Sequence, residues 1–302
     1  MRIREVFGLG VLACAVVVPG RLWAQAPQPT PAPAAPATTE VPAPTSRVAA
    51  VLGRDGAGTD LTARLTAAQA LGNELQPVEL AALYAFMARK AGEDALPVDK
   101  LAVIKNDVAN ALLNQTRPPR EFGPCLVRMF SDRTHDTLWR DFCAQFLGRW
   151  YPRTSGDERV QIRDVLWQAT AETDTQVAGT ALIALRDNVA QGDIDKDRLA
   201  RRACELAADA KVCEPVRVTA LQVCAGLGHA PALALAREIV NGNSGACLKM
   251  SAVAAIGMLG DASDLACLER LSQSPDVRLR NAATSARQRC RGSAPDPAGG
   301  RR

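Results

Sequence analysis

The chain has 302 residues, 36 Lys and Arg against 32 Asp and Glu for a formal net charge of +4, 47% hydrophobic residues and 4% aromatic ones. A balance so near neutrality gives no electrostatic footprint for nucleic acid, so that partner class is set aside. Abundant Ala and Leu with few aromatic or β-branched residues favour closely packed helices over strands.

In chain order, residues 1–26 come first: "MRIRE" carries two arginines, "VFGLGVLACAVVV" is apolar, and Ala24-Gln25-Ala26 is a small-x-small site. That is the pattern of a secretory leader. Val11-Leu12-Ala13-Cys14 loosely fits a lipidation site, but the apolar stretch before Cys14 is short, so a lipid anchor at Cys14 is the disfavoured reading. No later segment approaches the ~18 uninterrupted apolar residues of a membrane helix, so no transmembrane segment is expected. The leader predicts an exported chain, periplasmic or extracellular. Removing three basic residues (Arg2, Arg4, Arg21) and one acidic residue (Glu5) takes the charge from +4 to +2.

Residues 27–46 are rich in Pro and Ala and read as an extended linker, and 291–302 read as a tail of the same kind. Residues 47–134 hold helices at 60–73, 77–92 and 98–114. In the second of these, Leu80, Leu83, Phe86 and Met87 recur at helical spacing after Pro77 in the first turn.

From 135 to 290 the chain repeats itself. "VRVTALQVCAGLG" at 216–228 returns as "LKMSAVAAIGMLG" at 248–260, and the register extends to starts at Leu138, Val177 and Val277, spaced 39, 39, 32 and 29 residues apart in chain order. A second helix follows each start, as in "GHAPALALAREIV" and "GDASDLACLERLS". A two-helix unit of this length cannot cover its own apolar face, so the units must stack. The expected fold is all-α, an α-solenoid of stacked antiparallel helix pairs.

These signatures, with "SPDVRLRNAA", resemble the HEAT repeat family, in particular the short bacterial units of the phycobilisome lyase-like type. The resemblance covers 135–290, and 47–134 reads as degenerate copies. It implies a binding surface more often than catalysis. The function expected is an exported, non-catalytic protein-interaction scaffold with a protein partner. The alternative is a ligand-binding or lyase-like accessory protein that uses the solenoid groove.

Candidate chemistry is sparse. The two histidines, His135 and His229, each stand just before a helix and read as turn residues. Asp193, Asp195 and Asp197 alternate like the start of a calcium loop, but Arg198 and Cys204 stand where that loop needs Gly and Glu, so a helix start is favoured. No metal, cofactor or catalytic residue is expected. Trp139, Phe142, Phe146 and Trp150 form a helical stripe that reads as core, which leaves Tyr151 and Trp167 as a tentative interaction surface. Arg278, Arg280, Arg287, Arg289 and Arg291 make a polar end to the last helix.

Eight cysteines remain after the leader, an even number that suggests disulfides in an exported chain. Residues equidistant from the turn of an antiparallel hairpin lie side by side. On that ground Cys125 pairs with Cys143 and Cys204 with Cys224. Cys213 with Cys247 and Cys267 with Cys290 complete the expected set.

Overall fold

The computed structural model describes residues 44–54, 56 and 58–292. Two units divide the chain: Met1–Val41, outside the described residues, and Pro42–Arg302. The expected leader therefore lies outside the described residues, as do all but the last three residues of the expected linker and all but the first two of the expected tail.

The described residues form fourteen α-helices and no strand. The first seven are α1 (Pro44–Val51), α2 (Leu61–Gln69), α3 (Pro77–Met87), α4 (Val98–Leu113), α5 (Phe122–Ser131), α6 (Thr137–Trp150) and α7 (Gly156–Ala169). The rest are α8 (Val177–Asp187), α9 (Lys196–Ala208), α10 (Glu214–Gly226), α11 (Pro231–Asn241), α12 (Ala246–Leu259), α13 (Leu265–Leu271) and α14 (Val277–Gly292). The starts follow local chemistry. The Asp60, Asp136 and Asp195 carboxylates accept free first-turn amides, and Pro begins α1, α3 and α11. Helix α1 thus opens inside the span read as linker, because Pro44 is admissible in a first turn. Helix α3 stops at Met87, short of 92: Lys90 N donates to the Glu93 carboxylate at 2.9 Å, and Gly92 turns the chain at φ 83.

Helices α2, α4, α6, α8, α10, α12 and α14 pack on one another in series, while the odd-numbered helices form a second, looser row. Each even-numbered helix packs on the odd-numbered one before it, and α9 with α10 is the most extensive hairpin. The sequence pairs α10 with α11. The structure pairs α11 with α12 more closely, so the natural unit ends with the repeated motif instead of beginning with it. Stacking from unit to unit makes the described chain an all-α solenoid.

Small residues let the even row pack closely. A Cβ added at Gly148 of α6 would fall 2.5 Å from Ala184 Cβ of α8, and one at Gly257 of α12 would fall 2.9 Å from Ala286 Cβ of α14. The aromatic stripe lies inside, with Phe122 edge-on to Phe146 at 6.3 Å and to Trp150 at 5.3 Å.

The repeated basic residue has a structural purpose. Position four of α2, α6, α10, α12 and α14 is Arg64, Arg140, Arg217, Lys249 and Arg280. Three of these reach back to a carbonyl at the end of the preceding helix: Arg64 to Val51 O (3.0 Å), Arg140 to Phe130 O (2.8 Å) and Arg217 to Ala207 O (3.1 Å); Arg280 reaches Ser274 O (2.6 Å) in the connection after α13. A cation there satisfies an orphan carbonyl and meets the negative end of the helix dipole. In α4 the group comes from position eight, where Lys105 Nζ donates to Arg89 O. In α8 position four is Thr180, and the end of α7 is capped from the next hairpin instead, by Arg202 of α9 on Thr170 O at 3.1 Å.

Position four also corrects the repeat register. Val216 and Leu248 occupy position three, whose equivalents are Trp139, Gly179 and Leu279, not Leu138, Val177 and Val277. The intervals in chain order become 40, 37, 32 and 31 residues. Exposure agrees: Leu138 is 42% and Val277 55% exposed, whereas Trp139 is 0% and Leu279 9%. Apolar side chains one or two places too early had mimicked the core position.

Candidate functional site

Helices α3 and α5 are neighbours in the looser row without close packing between them, and a hollow of about 390 Å³ occupies the gap. From α3 come Tyr84 and Ala85, with Ala88 and Lys90 from the turn that follows. From α5 come Cys125, Arg128 and Met129, whose spacing of three and four places them on one helix face. The α5–α6 connection adds Asp132 and His135.

The Asp132 carboxylate organises that connection. Oδ1 accepts from Thr134 N (2.9 Å) and Thr134 Oγ1 (2.6 Å), Oδ2 meets Lys90 Nζ at 2.9 Å, and the Asp132 carbonyl accepts from His135 N at 3.1 Å. The Thr134 hydroxyl, then Lys90, holds the Asp132 carboxyl well below the usual carboxylate range, so the ion pair stands at neutral pH. The connection thus presents a fixed imidazole to the hollow. His135 is 6% exposed, and its Nδ1 has no hydrogen-bond partner. Across the gap the buried Tyr84 hydroxyl also lacks one. Unsatisfied buried polar atoms cost on the order of 1–3 kcal/mol each; these two are closed to water, so they are a packing cost beside the hollow and not open groups within it.

The uncharged groups stay uncharged. Burial, then the nearby Lys105 charge, lowers the His135 imidazole below its ordinary value. Burial, then Cys125 and Glu121, raises the Tyr84 phenol. Burial also raises the Cys125 thiol against the pull of Arg128, whose Nη2 donates to Cys125 Sγ at 2.9 Å. A reactive cysteine needs the opposite shift, so Cys125 is not primed as a nucleophile.

Two cationic clusters lie behind the wall. Arg64 binds Asp94 through two bonds, 2.6 and 2.9 Å, and Arg89 reaches the same carboxylate at 2.6 Å. Burial works to raise Asp94, yet the Arg64 and Arg89 bonds outweigh it and bring the carboxyl down to about 2. Lys105, buried 5.2 Å over the Trp139 ring, is brought down to about 8 by burial. Both serve packing.

A second hollow of about 320 Å³ lies between α6 and α8, but its Asn188 amide is already committed to Gly148 O (2.9 Å) and Ala184 O (2.8 Å).

The sequence-derived candidates fall elsewhere. Tyr151 is 0% exposed and donates to Asp193 Oδ2 at 2.6 Å, which makes it a core residue. Trp167 is half-buried beneath Arg198, whose guanidinium carbon sits 4.2 Å from the ring centroid. Asp195 caps α9, receiving Asp197 N and Arg198 N at 2.9 Å each. His229 accepts from Ala232 N at 3.0 Å through its carbonyl, as a turn residue should.

None of the eight cysteines, Cys125, Cys143, Cys204, Cys213, Cys224, Cys247, Cys267 and Cys290, is disulfide-bonded in the structure. Cys125 faces the hollow, whereas Cys143 is fully buried with Lys105 and Arg140 as its nearest charges. Cys224 Sγ lies 3.3 Å from Leu221 O, and Cys204 and Cys224 are near enough for each to shift the other's proton affinity. Cys213 Sγ lies 3.6 Å from Thr175 O, Cys290 Sγ 3.6 Å from Ile256 O, and Cys267 Sγ 3.7 Å from Arg270 Nη2.

Sequence reasoning missed Tyr84, Lys90 and Arg128 as site residues and took His135 for a turn residue. The one available signal was Cys125-Gly-free spacing to Arg128 and Met129 on a single helix face; the rest of the hollow comes from separate segments.

No protein-family model matches the chain, and no curated protein matches it. Among solved structures it is similar to the complex of CpcE and CpcF of phycocyanin lyase from Nostoc sp. PCC7120, at 20% identity and a TM-score of 0.40, over 87% of this chain and 91% of that one. The expectation of a non-enzyme is withdrawn; the neighbour is a lyase complex of two proteins. No helix among the described residues is long and apolar enough to cross a membrane.

Proposed function

We propose that this protein is an exported ligand-binding accessory protein and that the hollow between α3 and α5 takes a small organic anion. The observation that carries the reading is a single hollow whose lining brings the cations of Lys90 and Arg128 together with Tyr84 and His135. Lys90 and Arg128 against Asp132 leave the lining with a charge of +2 − 1 = +1. Arg128 donates to a thiol, a poor acceptor, and is positioned to exchange it for a carboxylate. Ala85, Ala88 and Met129 offer an apolar floor. The ligand is accordingly a carboxylate on an apolar body. Export is supported by the leader pattern of 1–26.

Docking of a partner protein is the companion role, and it is the less localised one. The large exposed apolar side chains Val78, Val103, Leu138, Val160, Met258 and Val277 sit on six different helices.

The test is a thermal-shift series with aromatic and aliphatic carboxylates, each paired with its neutral amide. A carboxylate at a hundred times its Kd stabilises by about 2.7 kcal/mol, which raises Tm by roughly 5–10 °C in a chain of this size. The amide raises it less, and Arg128→Gln and His135→Phe abolish the shift. If no carboxylate moves Tm, or both variants shift as the wild type does, the reading fails.

A further inference from the structure

We propose that Cys204 and Cys224 are the chain's oxidisable pair, forming one disulfide across the α9–α10 hairpin while the other six cysteines stay out of intramolecular bridges. The two thiols lie across the most extensively packed hairpin of the structure, near enough for each to shift the other's proton affinity, and Cys224 Sγ also rests 3.3 Å from Leu221 O. Cys204 is half-buried on α9, and Cys224 is fully buried on α10. One sulfur is therefore within reach of a soluble oxidant and the other is sheltered behind it.

The remaining thiols are otherwise engaged. Cys125 accepts from Arg128, Cys143 is sealed beside Lys105 and Arg140, and Cys213 and Cys290 lie against carbonyls of Thr175 and Ile256. The pairing thus differs from a framework of four bridges. It rests on contact between helices and is independent of the hollow, which is built by α3, α5 and the α5–α6 connection.

The co-reactant is a low-molecular-weight disulfide. The Cys204 thiolate attacks one of its sulfurs, the S–S bond breaks, and one thiolate leaves and takes up a proton. Cys224 then loses its proton and attacks the Cys204 sulfur of the mixed disulfide, expelling the second thiol. Two protein thiols lose two electrons in total, and one disulfide is reduced to two thiols. Cys204 is the attacking group because it is accessible and because the nearby Cys224 favours its thiolate, although burial raises both thiols. The exchange therefore quickens as pH rises.

The bond closes a loop of 224 − 204 − 1 = 19 residues. A loop of that size restricts the unfolded chain enough to raise Tm by roughly 5–10 °C. The experiment uses the purified chain incubated with oxidised or reduced glutathione. After oxidation, the intact mass falls by about two hydrogen atoms, as one disulfide requires. A non-reducing tryptic map joins peptide 203–211 to peptide 218–237, with Cys213 in the separate peptide 212–217. Cys204→Ser abolishes the link and makes Tm insensitive to reductant, while Cys125→Ser retains both effects. No link under oxidation, a link among other cysteines with 204 and 224 free, or an oxidised wild type whose Tm does not change would each overturn the proposal. Because the hollow takes no part, carboxylate binding is expected in both redox states, and its failure would leave this result untouched.

Discussion

Arg140 joins a carbonyl cap to a two-bond ion pair, and Arg140→Met tests what the two contribute together. Its Nε donates to Phe130 O at 2.8 Å, while Nη1 and Nη2 bind the Glu172 carboxylate at 2.8 and 2.7 Å. Arg140 is 5% exposed. Removing one partner of a buried ion pair costs about 3–5 kcal/mol, because the other charge is left without compensation. Arg133 still reaches Glu172 at 2.6 Å, but its side chain is 65% exposed, so the lower end applies, about 3 kcal/mol. Arg217→Met is the internal standard. Arg217 makes the same carbonyl bond, to Ala207 O at 3.1 Å, and no ion pair among the described residues, so its loss costs about 1 kcal/mol. Converted to Tm, the losses are roughly 6–12 °C and 2–4 °C. Urea unfolding followed by far-ultraviolet circular dichroism reads both. The double variant Arg140→Met/Glu172→Met recovers part of the loss, since no charge is then stranded. Equal destabilisation by the two single variants would refute the reasoning, leaving the carbonyl cap as the whole contribution of Arg140.

Two further outcomes follow from packing and burial. Gly148→Val and Gly257→Val each destabilise by about 1–3 kcal/mol through overpacking of the even row, whereas Gly226→Ala, where an added Cβ meets nothing within 4 Å, costs less, all by the same unfolding assay. Lys105 has its own pH signature. Its pKa falls from 10.5 in the unfolded chain to about 8 in the folded one, so from pH 8 to 10.5 the unfolded state binds the extra proton and rising pH favours folding. Measured against Lys105→Met, the wild type gains up to about 3 kcal/mol across that window, from a difference of 10.5 − 8 = 2.5. A flat difference between the two proteins over that range would show that Lys105 keeps its ordinary proton affinity.

How far the sequence reaches can be judged at particular residues. Leu248-Lys249 repeats Val216-Arg217 because both set a buried side chain at position three and a cation at position four of a helix that docks on the end of the one before. That requirement is local and recurrent, so it is legible. Register is less so: Leu138 and Val277 are apolar yet exposed, and hydropathy alone does not distinguish them from Trp139 and Leu279. Hairpin symmetry identifies neighbours across a turn but not the direction in which they face. It brings Cys204 to Cys224, yet Cys125 faces the gap beside α3 while Cys143 is buried with Lys105. The hollow depended on the missing piece of information. Tyr84, Arg128 and His135 belong to three segments whose juxtaposition is set by how loosely α5 lies against α3, and that spacing leaves no periodicity to read.

The borrowed cap at α7 bears on how such a chain can grow or shrink. A hairpin whose second helix carries its own cation brings the fitting for its first helix with it, and can be duplicated or removed as a self-sufficient module. Helix α7 is different: Thr180 leaves the task to Arg202, one hairpin further on. Excising α9 and α10 would strip Thr170 of its donor, so α7 through α10 behave as one heritable block in a protein otherwise assembled from interchangeable parts.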